Sequence, residues 1–178
     1  MKRKCLFHLL SFVTLLISAK AQDTAPIPAI EGESFAGQHV VLPDAVAGKV
    51  AVLVVGFTKA SKGPTTAWAD KLLAEFGTHQ EFVLYQLPVL EDVPKFIRGM
   101  VISGIKKGVP QDKRDHFVPI LQKEAELKKF VHYNEADDAY VVVLGRSGET
   151  LALSHSKGVG DVNYERVRGT IESALKQK

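Results

Sequence analysis

Residues 48–76 constrain this sequence more than any other stretch, because they combine a long apolar run, a sharp turn and a helical pattern. The run Val50–Phe57 is almost entirely apolar and rich in valine. Such runs are typical of strands that are buried on both faces at the centre of an α/β sheet. The polar residues 59–64 that follow include a glycine and a proline, which end strands. We therefore predict a central strand that leads through a short turn into a helix.

The helix after this turn is predicted from four apolar residues at helical spacing, which are Trp68, Leu72, Leu73 and Phe76. We expect it to cover residues 66–76, with Thr65 or Thr66 as its N-cap. A second apolar run, Glu81–Leu87, predicts the next buried strand. Strand, helix and strand then form a βαβ unit, in which the two strands are parallel and the crossover is right-handed.

The remaining residues predict a hairpin-like N-terminal piece, further helices and a terminal hairpin. Residues 22–37 are expected to form an extended lead-in, 38–42 an edge strand, 116–121 a short strand, and 139–144 with 150–154 an antiparallel hairpin. Helices are expected over 93–107, 124–131 and 161–175. The predicted fold class is therefore α/β, with a central mixed sheet, flanking helices and a C-terminal β-hairpin plus helix in one domain at 38–178.

Residues 1–21 have the features of a secretory signal peptide. Basic residues occupy positions 2–4, an apolar core covers 6–17, and positions 19–21 form an A-x-A cleavage motif. An uncleaved membrane anchor is the alternative, but the apolar run is shorter than the roughly 20 residues that span a bilayer. We therefore expect cleavage after Ala21 and a periplasmic or extracellular protein.

Removal of this leader changes the charge and the cysteine content of the chain. The leader holds four of the 23 Lys and Arg residues and none of the 20 Asp and Glu residues, which leaves 19 basic against 20 acidic residues. This balance gives no reason to expect a nucleic-acid partner. The single cysteine, Cys5, also lies in the leader. Residues 22–178 therefore cannot form a disulfide or use a thiol as nucleophile or metal ligand.

The turn resembles the active-site segment of thioredoxin-like proteins, in which an aromatic-led strand runs into Cys-Gly-Pro-Cys. When Gly63 and Pro64 are aligned with that motif, Lys62 and Thr65 take the places of the two cysteines. In the register of peroxiredoxins, Ser61 falls at the position of the peroxidatic cysteine. Neither alignment supplies a thiol. The resemblance implies a thioredoxin-like fold, of the larger peroxiredoxin or periplasmic type, without its redox chemistry.

The second half of the chain departs from the enzymes of this superfamily. They have a cis-proline just before the first strand of the hairpin, whereas residues 134–139 contain no proline. Residues 139–175 and the amphipathic segment 96–107 resemble the cysteine-poor branch that includes the mitochondrial ATP-synthase assembly factor. That branch implies a role in assembly of a complex.

The resemblance also indicates where a partner binds, since thioredoxin-like folds hold extended segments in a groove beside the helix that follows the central strand. The predicted groove residues are Lys62, Gly63, Pro64, Thr65 and Trp68, facing Asp137 and Asp138. Lys62 also fits an exposed loop residue, or an anion-binding lysine at a helix N-terminus. Trp68 also fits a core position, because it lies at helical spacing from Leu72.

The sequence gives little support for a metal site, a phosphate-binding loop or a nucleophilic serine. The five histidines beyond the leader include no i, i+4 pair and no H-x-H, so we expect no metal site. Asp115 and His116 could meet His155 in space, but we expect these histidines to be surface or capped residues. Residues 59–63 lack the P-loop spacing, and no G-x-S-x-G elbow occurs. We expect no cofactor.

The sequence therefore predicts an exported, redox-inactive thioredoxin-like protein that acts as a binding module. Its partner is expected to be a protein or peptide, and the role that of a chaperone or assembly factor for an exported or membrane complex. The alternative is an enzyme of the peroxiredoxin or thioredoxin type that works without a thiol of its own or through a partner's thiol. The sequence does not set the oligomeric state.

Overall fold

The computed structural model describes residues 26–177, so the predicted signal peptide lies outside the described residues. The strands are β1 (Ile30–Glu33), β2 (His39–Leu42), β3 (Val50–Gly56), β4 (Phe82–Pro88), β5 (Ala139–Leu144) and β6 (Thr150–Ser156). The helices are α1 (Lys62–Phe76), α2 (Lys95–Lys107), α3 (Glu124–Phe130) and α4 (Asp161–Lys176). Two short 3₁₀ helices cover Asp44–Val46 and Gln111–His116.

The central sheet is mixed and has the strand order β4-β3-β5-β6. β3 and β4 are parallel and are connected through α1, whereas β5 is antiparallel to both β3 and β6. The carboxyl ends of β3 and β4 lie side by side, since Gly56 pairs with Pro88. The predicted βαβ unit and the predicted terminal hairpin are confirmed.

All seven residues of β3 are buried, and their side chains alternate between two hydrophobic cores. Val50, Val52 and Val54 pack with residues of α1 and α4. Leu53 and Val55 belong to the other core, which also contains residues of β1, β2 and α3. Full burial of an aliphatic side chain of this size contributes about 1.5–3 kcal/mol. β3 is therefore the strand on which both cores are built.

The C-terminal half of α1 is attached to α4 through Glu75. The Tyr164 hydroxyl donates a hydrogen bond to Oε2 of this carboxylate, and the Arg168 guanidinium donates to Oε1. The hydrogen bond from Tyr164 is the largest influence that lowers the pKa of Glu75 below its ordinary value. Lys71 lies 3.7 Å from the centroid of the Tyr164 ring. These contacts fix α1 against α4 at the end of α1 that is remote from the turn.

β1 and β2 form an antiparallel hairpin outside the central sheet. Residues 30–33, which were expected to be part of an extended lead-in, are the first strand of this hairpin. The Phe35 ring stacks on Phe117 at a centroid distance of 5.1 Å. A Cβ built on Gly32 would lie 2.7 Å from Cγ1 of Val118 and 2.8 Å from the carbonyl oxygen of Pro119. The hairpin is thus packed closely against residues 117–120.

The strand predicted over 116–121 is wrong in extent. Gln111–His116 form a 3₁₀ helix, and residues 117–120 form two isolated bridges, one with Gln86 of β4 and one with Val89 just after it. The N–H groups of Val118 and Ile120 donate to the carbonyls of Gln86 and Pro88 at 3.0 and 2.9 Å. Pro119 lies between them, where an N–H would point away from β4, because alternate residues of a strand donate to the same neighbour. A proline is therefore tolerated at this position.

The predicted helix at 93–107 is confirmed as α2, but its apolar residues lie on two different faces. Ile97, Val101 and Ile105 are half-buried, whereas the side chains of Phe96 and Met100 are 89% and 76% exposed. The apolar stripe that predicted this helix therefore mixed residues of an inner and an outer face. Within residues 26–177, no helix is both long and apolar enough to cross a bilayer.

Replacement of Gly32 tests the close packing of the hairpin. We expect Gly32→Ala to lower the free energy of unfolding by about 1–3 kcal/mol, because its Cβ has no space beside a backbone carbonyl. Gly169 in α4 is the matched control, since a Cβ built there meets nothing within 4 Å. Gly169→Ala should raise the free energy of unfolding by about 0.5–1 kcal/mol through its higher helix propensity. Urea unfolding of both variants measures the two changes, and equal effects would contradict the packing described.

Candidate functional site

The turn between β3 and α1 is held by a serine and a threonine that bond to each other. The Ser61 hydroxyl donates to the carbonyl of Thr58 at 2.8 Å, and the Ser61 N–H donates to Oγ1 of Thr58 at 3.2 Å. Ser61 is 1% exposed. A Cβ on Gly56 would lie 2.6 Å from the Ser61 oxygen. The side chain at the peroxiredoxin-like position thus closes the turn and is shielded from solvent.

α1 begins at Lys62, four residues earlier than predicted. Gly63 and Pro64 lie in its first turn, where the missing N–H of proline costs nothing because the first helical N–H groups have no intrahelical partner. Thr65 or Thr66 was predicted as the N-cap, but both lie inside the helix, and the Thr65 hydroxyl donates to the carbonyl of Lys62 at 3.0 Å. Lys62 and Gly63 are exposed, while Pro64 and Thr65 are half-buried.

Trp68 does not line an open groove, which corrects the prediction. Its side chain is fully buried in the core beneath α1, and its ring centroid lies 6.0 Å from that of Tyr164. The indole N–H donates to Oγ of Ser156 at 3.1 Å. The alternative that its helical spacing allowed, a core position, is the one that the structure has.

A side-chain hydrogen bond joins the turn to the loop before β5. The Thr58 hydroxyl donates to the carbonyl of Ala136 at 2.8 Å. Asp137, in the same loop, is half-buried and lies 3.5 Å from Nζ of Lys157. The structure thus brings the predicted residues 62–65 and 137–138 to the same side of the molecule. We call residues 58–65 together with 134–138 the turn–loop surface.

Asp138 is buried and contacts a histidine side chain, a pair that the sequence did not predict. Its Oδ2 lies 2.7 Å from Nδ1 of His155, and its side chain is 7% exposed. The His155 ring stacks on Tyr140, with centroids 5.2 Å apart. β5 and β6 bring these residues together, because Tyr140 and His155 are directly opposite in the hairpin register. The register of the hairpin was the signal that could have revealed this pair.

The side chain of Tyr140 also fixes the loop at 134–138. The Tyr140 hydroxyl accepts hydrogen bonds from the N–H groups of Asn134 and Glu135 at 3.0 and 2.9 Å. Its ring contacts Phe57 edge-on, at a centroid distance of 5.5 Å. Phe57 ends the apolar run of β3, so one aromatic contact supports both halves of the turn–loop surface.

Lys128 of α3 lies beside the same aromatic cluster. Its ammonium group is 2.5 Å from Oε1 of the buried Glu124 and 5.0 Å from the centroid of the Tyr133 ring. The hydrogen bond to Glu124 is the main cause that raises the pKa of Lys128. The Tyr133 ring contacts Phe57 at 4.9 Å. α3 therefore stabilises the aromatic base of the surface through a paired charge.

His116 and His155 do not form a common cluster. His116 packs against Tyr85 at a centroid distance of 4.9 Å, and burial lowers its pKa. His155 instead pairs with Asp138. Among residues 26–177, no group of three or more histidines and carboxylates is arranged to hold a metal ion.

The turn–loop surface, whose residues all lie within the described part of the chain, offers no thiol. It presents the exposed Lys62 on the helix side and the half-buried Asp137 on the loop side. Side-chain hydrogen bonds and aromatic contacts fix both sides before any partner arrives. Such an arrangement suits non-covalent binding, because little conformational entropy remains to be lost.

Comparison with known proteins gives matches at the level of structure alone. No family model matches the chain, and no curated protein matches it. The structure of BsSco, a member of the Sco family of cytochrome c oxidase assembly proteins, matches with a TM-score of 0.60 and 16% identity, over 89% of this chain and 98% of that one.

Two further solved structures agree with this result. The thioredoxin domain of a thiol-disulfide oxidoreductase from Bacteroides vulgatus matches with a TM-score of 0.56 and 19% identity, over 85% of this chain and 99% of that one. Etrx1, an exposed lipoprotein thioredoxin of Streptococcus pneumoniae, gives 0.52 and 12%, over 82% and 99%. At these identities the likeness concerns the fold. The chain has a thioredoxin-like α/β fold, as its turn and its order of elements predicted.

Proposed function

We propose that this protein is an exported, redox-inactive thioredoxin-like binding module, with the role of a chaperone or assembly factor for an exported or membrane complex. The observation that carries the proposal is the replacement of the dithiol. In the alignment with Cys-Gly-Pro-Cys, Lys62 and Thr65 take the places of the two cysteines, and a hydrogen bond from Thr58 to Ala136 joins the turn to its facing loop. The scaffold of a redox site is kept, and the groups that do redox chemistry are replaced.

The hydroxyl groups of the turn support binding over covalent chemistry. Ser61 is buried and donates to a backbone carbonyl, and Thr65 donates to another. A serine or threonine nucleophile requires a base that accepts its proton, whereas both protons here are directed at carbonyl oxygens. Residues 26–177 contain no cysteine that could take their place.

The accessible groups of the turn–loop surface fit an extended segment of another protein. Lys62 and Gly63 are exposed at the helix N-terminus, and Asp137 lies on the opposite side of the surface. An extended segment between them would make backbone contacts with the loop and place an acidic side chain near Lys62. Trp68 takes no direct part, because it is buried.

Export is proposed from the leader-like residues 1–21. The similar structures agree with an exported role, since Etrx1 is described as an exposed lipoprotein thioredoxin and BsSco as a member of a family of assembly proteins. We define the proposed partner only by its chemistry. It is an exported or membrane protein with an extended segment that carries at least one carboxylate.

Photo-crosslinking in cells tests the proposal. A photoreactive amino acid replaces Lys62 in one variant and Lys49 in the other, and captured proteins are identified by mass spectrometry. Lys49 is the matched control, because it is an exposed lysine next to the opposite end of β3. We expect one exported or membrane protein to be captured repeatedly from position 62 and not from position 49. Capture of a protein from position 49 alone would place the partner-binding surface elsewhere and would contradict the proposal.

A second candidate function, a thiol-independent enzyme, is favoured by the Asp138–His155 pair. A buried carboxylate on Nδ1 orients an imidazole, as in many acid–base sites. This candidate predicts that His155 reacts with diethyl pyrocarbonate faster than the exposed His79, and that Asp138→Asn removes the difference. Peptide mapping after brief labelling measures both rates. Equal reactivity of His155 and His79 would leave the pair as a structural contact and exclude this candidate.

A further inference from the structure

α2 presents a face to solvent that is both apolar and basic. We define the α2 outer face as the exposed residues on one side of this helix, which are Phe96, Gly99, Met100, Ser103, Gly104 and Lys107. They recur at helical spacing, so they form one continuous stripe. The opposite side carries Ile97, Val101 and Ile105, which are half-buried.

Two large apolar side chains protrude from this face. Phe96 and Met100 are neighbours at i, i+4, and they are 89% and 76% exposed. Exposed single apolar residues are common, but an adjacent aromatic and thioether pair on one helix face is typical of a contact surface. Because both side chains are exposed to solvent, they are available for contact with another surface.

Small residues surround this pair. A Cβ built on Gly99 or Gly104 meets nothing within 4 Å, so internal packing does not require glycine at either position. Two glycines also lower the intrinsic stability of an exposed helix. Because glycine has no side chain, Phe96 and Met100 project beyond the residues around them on this face. The outer face is therefore a ridge with two protruding side chains.

The charge of α2 has one sign. Residues 95–107 contain two arginine-or-lysine residues in the first four positions and two lysines at the end, and no acidic residue. The Arg98 guanidinium donates to the carbonyls of Glu91 and Val93 at 2.7 and 2.9 Å, so it fixes the start of the helix. Lys95 and Lys106 are exposed beside the outer face, and the exposed Lys107 lies on it. These three ammonium groups attract an anionic surface.

We propose that the α2 outer face docks on the anionic headgroups of a lipid bilayer. Phe96 and Met100 insert between headgroups while the exposed lysines contact lipid phosphates, with the helix lying in the plane of the interface. A helix of this length, about 20 Å, rests on a bilayer and does not span it.

A protein groove fits this face less well than a lipid surface. Helices that bind in grooves use a series of apolar anchors at i, i+3, i+4 and i+7. Here the positions that follow Met100 on the outer face are Ser103, Gly104 and Lys107, so the series stops after two anchors. A bilayer needs only a few inserted side chains when lysines add electrostatic attraction.

This inference is independent of the proposed partner-binding function, since it uses none of the turn–loop residues. The two surfaces nevertheless begin at the same edge of the sheet. α2 follows β4, and the turn follows β3, while Gly56 and Pro88 pair at the carboxyl ends of these parallel strands. Docking through α2 would therefore keep the edge that carries the turn at the membrane side of the domain.

Sedimentation with lipid vesicles tests the inference. The protein is purified after export, its N-terminus is determined by mass spectrometry, and it is mixed with vesicles of equimolar phosphatidylglycerol and phosphatidylcholine. We expect salt-sensitive binding to these vesicles and little binding to phosphatidylcholine alone. Phe96→Ser/Met100→Ser and Lys106→Gln/Lys107→Gln should each weaken binding about tenfold.

Two variants on other elements serve as matched controls. Val162→Ser removes an apolar side chain that is 85% exposed at the start of α4, and Lys49→Gln removes an exposed lysine. Both should bind vesicles like the unmodified protein. Circular dichroism confirms that all variants are folded, which is expected because every substituted residue is exposed.

Three results would overturn the inference. The first is that the unmodified protein does not sediment with anionic vesicles. The second is that the α2 variants bind them as well as the controls do. The third is that Phe96→Ser/Met100→Ser abolishes self-association, or the crosslink to a protein partner, while vesicle binding is absent, which would assign the face to a second copy or to that protein.

Discussion

The structure depends on the complete burial of β3. Because every residue of this strand is covered, the sheet needs layers on both faces, and α1 with α4 supply one while the β1–β2 hairpin and α3 supply the other. A strand held in this way fixes the position of whatever follows it. Phe57 continues the buried run, and the Thr58–Ser61 bonds then turn the chain into α1. The turn–loop surface is therefore positioned by the core and needs no thiol to hold its shape.

The sequence predicts the fold well because its local signals agree with the global order of elements. The apolar runs at β3, β4 and β5 are long, and the βαβ rule and the hairpin turn leave few topologies open. The prediction is less accurate at the bounds of single elements. Residues 117–120 form isolated bridges in place of the predicted strand, and Pro64 is accepted within the first turn of α1, so that helix begins earlier than predicted. The periodicity of α2 is correct, but periodicity alone does not tell which apolar residues face inward.

The candidate site is less predictable than the fold, since it is assembled from residues far apart in the chain. Motif alignment places Lys62 and Thr65 at the helix start, as the structure has them, but it cannot place Trp68. The indole of Trp68 lies in the core and donates a hydrogen bond to Ser156 of β6. The Asp138–His155 pair requires the register of the β5–β6 hairpin, which composition does not reveal. The hydrogen bond from Thr58 to Ala136 in the facing loop cannot be read from the sequence either, because the two residues are far apart in the chain. Of the two surfaces that we propose, the one for a protein segment is likewise assembled from residues of different elements, whereas the one for lipid lies on α2.

The central claim is that this domain keeps the geometry of a thioredoxin-type site without its chemistry. The most direct measurement compares disulfide reduction and peroxide turnover by the exported protein with those of a Lys62→Cys/Thr65→Cys variant. Residues 62 and 65 are one helical turn apart at an N-terminus that stabilises a thiolate. We predict that the unmodified protein does not exceed the buffer rate and that the variant forms a disulfide between Cys residues at these positions and reduces substrate disulfides. Activity of the unmodified protein, or a variant whose thiols cannot pair, would contradict the account.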